Sequence, residues 1–356
     1  MISSEPGASA APARRVPTVG HPGSLKEGAL DLWSSIVIAL ASVAPTLSIA
    51  VTLAAILAVS GYATPIIILV LTVPMLGIAI AYRRLNLLEP NCGSTYVWSA
   101  RAISPYLGFM VGWIMLVAYI LAVLSGVMAI GPYIIQVFVS APHNLQLIEA
   151  IAASMGIIFI TVVAYLGIDV TARVQWLFVV VEYVALAIIT ILGLLAIFGG
   201  RHGSVHFNWS WFSLGGIGGV SGFVAAALIV VFLFSGWDTA IAVNEETQAP
   251  TVNPGNAVVA SVIFAGLLFA FVIFALQGVV NATTLQANGS NALAYLGQVL
   301  GGGALGKLMV AMVVLSAMGG ALASLLTATR VAFAMAANAV LPAVFGHTHP
   351  RYKTPA

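Results

Sequence analysis

The chain of 356 residues is 61% hydrophobic and 6% charged, whereas soluble domains carry about 25% charged residues. With a mean hydropathy of +1.09, this composition excludes a soluble globular protein and points to a chain embedded in the lipid bilayer. A net charge of +2 argues against a nucleic-acid partner, which calls for a concentrated basic face, and the single cysteine, Cys92, rules out an internal disulfide.

Residues 1–31 are rich in Pro, Ala, Ser and Gly and carry Arg14, Arg15 and Lys26. The apolar stretch that follows is longer than the roughly 7–15 residues of a signal-peptide core, so a disordered cytoplasmic tail is expected rather than a cleaved leader. A spanning helix needs about 20 apolar residues. Eight stretches qualify: 32–59, 63–82, 105–138, 146–166, 172–198, 220–244, 256–280 and 305–336. The first, third and last are longer than a straight crossing requires, so a tilt, a break or a polar extension must absorb the excess. Their continuous apolar blocks do not alternate as barrel strands do. The expected organisation is a tail (1–31), an all-α polytopic bundle (32–336) and a cytoplasmic loop (337–356).

Lys and Arg residues concentrate on the cytoplasmic side of membrane proteins. With the N-terminus inside, Arg14, Arg15, Lys26, Arg83, Arg84, Arg101, Arg173, Arg330, Arg351 and Lys353 fall on that side, and only Arg201 and Lys307 fall outside. The outer loops are then 199–219 and 281–304. Trp209, Trp211 and Phe212 in the first suit an interfacial aromatic belt. The glycines 301–303 read as a flexible turn.

Two spans are interrupted. Pro45 lies in the middle of the first, where it removes one helical hydrogen bond and clashes with the preceding turn. Phe234-Ser235-Gly236-Trp237-Asp238 interrupts the sixth. Inside lipid, freed backbone groups must find partners in protein, water or ligand, and paired broken helices build the binding sites of many membrane carriers. A half-helix starting near Thr46 points N–H groups at an anion. The competing reading of residues 44–48 is a simple proline kink.

Two carboxylates lie within spans, where an ionisable group is a functional candidate by default. Asp238 at the second break reads as a contact for a substrate amine, a gate or a proton acceptor, or alternatively as a cap on the second half-helix. Glu182, near the middle of the fifth span, reads as a proton carrier or as a hydrogen-bonded structural group. Tyr119, Ser316 and Ser324 are further candidates to line the same cavity. Glu245 and Glu246 read as a solvated pair or as a gate toward Arg83, Arg84 or Arg101, and Asp169 as a loop pair with Arg173. All six histidines lie outside the spans, which argues against a membrane-embedded enzyme and against a metal site. Neither a repeated filter nor a charged ring suggests a channel.

Several motifs run together in order. Pro90-Asn91-Cys92-Gly93-Ser94-Thr95-Tyr96 is followed by Ser104-Pro105 and then by Gly108-Phe109 and Gly112-Trp113. Phe234-Ser235-Gly236-Trp237-Asp238 precedes Glu245-Glu246 and Pro250. Thr329-Arg330, Ala334-Met335-Ala336 and Leu341-Pro342 close the series. From about Leu32 onward this pattern resembles the amino acid–polyamine–organocation superfamily of permeases. The resemblance implies a LeuT-type fold of two inverted five-helix repeats, with helices one and six broken. It also implies secondary active transport of an amino acid or related amine by alternating access, coupled to protons or to exchange. A cofactor is not implied. The expected partners are a small-molecule substrate, a coupling proton and the lipid of the cytoplasmic membrane. By resemblance, Ala44, Pro45, Thr46, Leu47 and Ser48 hold a substrate carboxylate, and Phe232, Ser235, Gly236 and Asp238, with Tyr119 nearby, meet its amine. Glu182 and Asp238 are the proton-coupling candidates.

The sequence departs from the family twice. Its first break lacks the usual Gly-x-Gly, and it holds eight spans where the family has at least ten. The second departure implies a truncated frame or a fragment with an incomplete second repeat. A non-transporting remnant or membrane interaction partner is therefore the alternative function.

Overall fold

The computed structural model describes residues 24–138 and 144–355. α1 (Leu32–Val43) begins at Asp31, whose carboxylate accepts from the Ser34 N–H at 2.8 Å and satisfies a donor that the helix start leaves open. It stops at Ala44, which adopts φ 47 and ψ 62. α2 (Pro45–Ser60) follows with Pro45 in its first position, where the missing N–H costs nothing. Then come α3 (Thr64–Leu88), α4 (Thr95–Ala102), α5 (Pro105–Phe138), α6 (Leu145–Tyr165) and α7 (Ile168–Phe198). α8 (Gly219–Leu233) and the single turn α9 (Thr239–Ala242) flank the second break, and α10 (Asn253–Gln277), α11 (Ala282–Ala287) and α12 (Ala292–Ala337) complete the bundle.

Six helical stretches among the described residues are long and apolar enough to cross a bilayer. The first of these, Leu32–Leu88, contains two of the expected spans, and the expected sixth is the one split into α8 and α9. All eight expected spans thus have helical counterparts, in a helical membrane bundle.

Helix pairs approach closely where a side chain is missing, as packing in lipid favours. A Cβ on Gly193 of α7 would sit 2.6 Å from the Ala275 carbonyl oxygen of α10, and one on Gly126 of α5 would sit 3.0 Å from that of Ala317 in α12. α1, α7, α10 and α12 meet at the centre. Their inward faces carry most of the buried residues, while α5 and α6 present large apolar side chains outward.

The loops sort into two faces. On one, Lys26 pairs with Asp169, Leu30 bridges Thr247, and Asn86 donates to the Pro250 carbonyl at 2.8 Å. Thr354 there donates to the Tyr165 carbonyl at 3.3 Å. On the other, Tyr62 stacks on Trp211 at 4.8 Å and Arg201 donates to the carbonyls of Val299 and Leu300. The Arg- and Lys-rich segments therefore share one face.

Several expectations need correction. Residues 1–23 of the expected tail lie outside the described residues, but 24–31 pack onto the bundle, with Leu25 5% and Leu30 1% exposed. Leu30 is held because its N–H donates to the Glu246 carbonyl at 3.0 Å and its own carbonyl accepts from Gln248 at 2.7 Å. The outer loop 281–304 contains α11 and the first turns of α12. The expected turn at the glycines is present: Gly301 (φ −137) and Gly302 (φ 76) are non-helical and divide α12 into two helical stretches. Helix α4, between the second and third spans, was not anticipated, since eight residues are too few for a spanning signal. Asp169 pairs with Lys26 and not with Arg173.

Candidate functional site

The first break is built by two neighbouring residues. Proline disfavours the helical conformation in the residue before it, and Ala44 turns left-handed. That costs an L-residue about 1–2 kcal/mol and is characteristic of strain held at a functional position. The chain thereby makes the break without the family's glycines.

Every backbone donor in the first turn of α2 has a definite fate. Pro45 has no N–H. The Thr46 N–H donates to Glu182 Oε1 at 2.8 Å, and the Leu47 N–H donates to Ser316 Oγ at 3.2 Å. The Ser48 N–H returns to the Ala44 carbonyl at 2.9 Å. The Glu182 carboxyl is 2% exposed and reaches the break from α7, so the proton candidate and the anion seat are one place. The Thr46 hydroxyl is buried there beside the Glu182 carboxyl.

At the second break, Gly236 has φ 104, a region L side chains rarely adopt. A Cβ at this position would lie 2.6 Å from the Ser42 carbonyl oxygen, so glycine is what lets the two interrupted helices touch. The Ser42 and Thr239 hydroxyls are 2.9 Å apart, and Thr327 of α12 reaches Thr239 at 3.1 Å. Asp238 is partly buried and accepts from the Tyr119 hydroxyl at 2.7 Å. Its side chain does not cap α9. Trp237 packs edge-on against Tyr82, which meets Trp98 in the same way.

The structure therefore gathers Ala44, Pro45, Thr46, Leu47, Ser48 and Glu182 at one break, and Gly236, Asp238 and Tyr119 at the other. Phe232 and Ser235 are exposed on α8 and its end, Phe232 at 56%, while Phe234 is fully buried against Phe269. Ser316 joins the first break directly, and Ser324 is buried lower on α12. Ser42, Thr239 and Thr327 were missed. Small hydroxyl residues in spans usually bond their own helix, and only the meeting of three helices distinguishes these.

On the Arg- and Lys-rich face, Glu246 does not reach Arg83, Arg84 or Arg101. It forms a two-pronged pair with Arg330, Nε to Oε2 at 3.0 Å and Nη2 to Oε1 at 2.9 Å, with side chains 0% and 2% exposed. Glu245 accepts from the Cys92 N–H at 3.0 Å, and Arg101 pairs with Glu89. Proximity in the loop favoured the nearer arginines, but α12 brings Arg330 inside. Burial, with Glu245 beside it, pushes the Cys92 thiol well above its usual range, and the thiolate is the reactive form. Cys92 in the folded chain should thus resist a neutral maleimide that labels the denatured chain fully. Rapid labelling in the folded state, read by mass spectrometry, would place it elsewhere.

Apolar helices crossing a bilayer, two of them broken and joined at their breaks, define an integral multi-pass membrane protein with a polar centre. The amino acid permease family model matches residues 30–356, and the chain belongs to that family. It is 26% identical over 304 residues to a branched-chain amino acid permease of Bacillus subtilis (strain 168), covering 78% of this chain and 60% of the relative. A serine/threonine exchanger of the same organism is 26% identical over 272 residues, 75% of this chain and 58% of the relative. A low-affinity putrescine importer of Escherichia coli (strain K12) is 26% identical over 289 residues, again 78% and 60%. The chain thus spans about 60% of the length of these curated relatives.

Proposed function

We propose that this chain carries the site of a secondary transporter that moves an amino acid or related amine across the cytoplasmic membrane by alternating access. Its N-terminal side faces the cytoplasm. The observation that carries this reading is the contact between the two broken helices, with one carboxyl group at each break: Glu182 beside Thr46, and Asp238 beside Tyr119. Asp238 offers a cationic amine a charged partner. Glu182 is placed to couple a proton to the movement, because it grips the half-helix that must shift when the site changes sides. The family's transport relatives support the substrate class.

The test is uptake into liposomes loaded with the purified chain, using a panel of amino acids and amines under separate proton and sodium gradients. Losing a hydrogen bond to a charged group costs about 1.5–3 kcal/mol, so Asp238→Asn should lower substrate affinity about 10–100-fold. An unchanged affinity would remove Asp238 from the site. Glu182→Gln keeps an acceptor oxygen for the Thr46 N–H but cannot titrate, so it should abolish the response to a pH gradient while sparing exchange. A wild-type response to pH in that variant would reject Glu182 as the proton carrier.

A further inference from the structure

We infer that the substrate is an organic amine without an α-carboxylate, and that Glu182 occupies the place where the carboxylate of an amino acid would bind. This deepens the transport reading above and rests on it.

The inference comes from a complete account of donors. The start of a helix attracts an anion through its first free N–H groups and the positive end of its dipole. At the start of α2 none of these groups remains free. Pro45 has no hydrogen to give, Thr46 donates to Glu182 at 2.8 Å, Leu47 donates to Ser316 at 3.2 Å, and Ser48 closes the helical ladder at 2.9 Å. The acceptor at this helix start is the protein's own carboxyl group, supplied from α7 and 2% exposed. A substrate carboxylate would have to displace a buried, hydrogen-bonded group, and it would meet that group's like charge whenever Glu182 is ionised.

The other pole suits a cation. Asp238 accepts from the Tyr119 hydroxyl at 2.7 Å and caps no helix N–H with its side chain. Ser42, Thr239 and Thr327 add hydroxyl groups between the breaks. Carboxyl and hydroxyl groups surround this centre, and among the described residues no Lys or Arg contributes a hydrogen bond or ion pair to either break. Such a lining recognises an ammonium group and an alkyl chain, with nothing assigned to a second, anionic end.

A matched pair of compounds tests this directly. Ornithine is 1,4-diaminobutane with a carboxylate added. Binding of each to the purified full chain is measured at neutral pH by competition with radiolabelled 1,4-diaminobutane. The diamine should bind at least about tenfold more tightly. Glu182→Ala, which frees the Thr46 N–H, should narrow or invert that ratio by opening the seat to ornithine. Ornithine binding as tightly as the diamine to the wild-type chain would overturn the inference, and that comparison stands even if Glu182→Ala does not fold. A chain that binds neither compound would overturn the transport site itself and this inference with it. Asp238→Asn should weaken both ligands alike, which separates loss of the site from loss of its selectivity.

Discussion

Replacing Glu246 with alanine should destabilise the chain more than any change at the breaks. Arg330 would be left as a buried guanidinium, 2% exposed and without its counter-charge. Removing one partner of a buried pair costs about 3–5 kcal/mol, a large part of the roughly 5–15 kcal/mol by which a folded protein is stable. The result should be a sharp fall in the yield and thermal midpoint of detergent-purified protein. Because the cost lies in the orphaned charge, Glu246→Leu combined with Arg330→Met should recover most of the loss. A single variant as stable as the parent, or a double variant no better than the single, would show that the pair does not hold this face together. The pair joins the segment after α9 to α12, and the same segment grips Leu30 through the Glu246 carbonyl and the Gln248 N–H. Its loss should therefore also loosen residues 24–31, read as faster backbone hydrogen exchange there.

Gly236→Ala should strike the site itself. The residue sits at φ 104, and the added methyl would lie 2.6 Å from both the carbonyl and hydroxyl oxygens of Ser42. The backbone region alone costs about 1–3 kcal/mol, and the clash must in addition push α1 away from the second break. The hydrogen bond between Ser42 and Thr239 lies directly in that path. Amine binding should be lost and the thermal midpoint lowered. Gly302→Ala provides the control: its φ is 76, but nothing lies within 4 Å of the added methyl, so it should cost only the backbone strain and leave binding intact. Equal effects of the two substitutions on binding would deny that close contact between the broken helices matters.

Much of the architecture was legible because a bilayer imposes a length. Apolar runs such as 146–166 and 172–198 correspond closely to α6 and α7. The breaks were legible for local reasons: Pro45 cannot continue a helix from Ala44, and Gly236 in an apolar run provides a turn. The departure from the family's glycines at the first break was legible too, but not its solution, which is Ala44 in a left-handed conformation. Phe232 shows the limit of a motif. It is 56% exposed, and it is Phe234 that packs inward. Which side of a helix faces the bundle centre depends on neighbours that a short motif does not contain.

The sequence by itself determined the membrane class, the helical character of the apolar runs, and the positions of the two interruptions. These follow from local properties: the apolar length needed to cross lipid and the backbone limits of proline and glycine. Only the tertiary structure decided the partners. Glu182 meets Thr46 across 136 positions, and Glu246 meets Arg330 across 84. A buried carboxyl group must find donors wherever helix packing brings them, and that packing is a property of all the inward faces together.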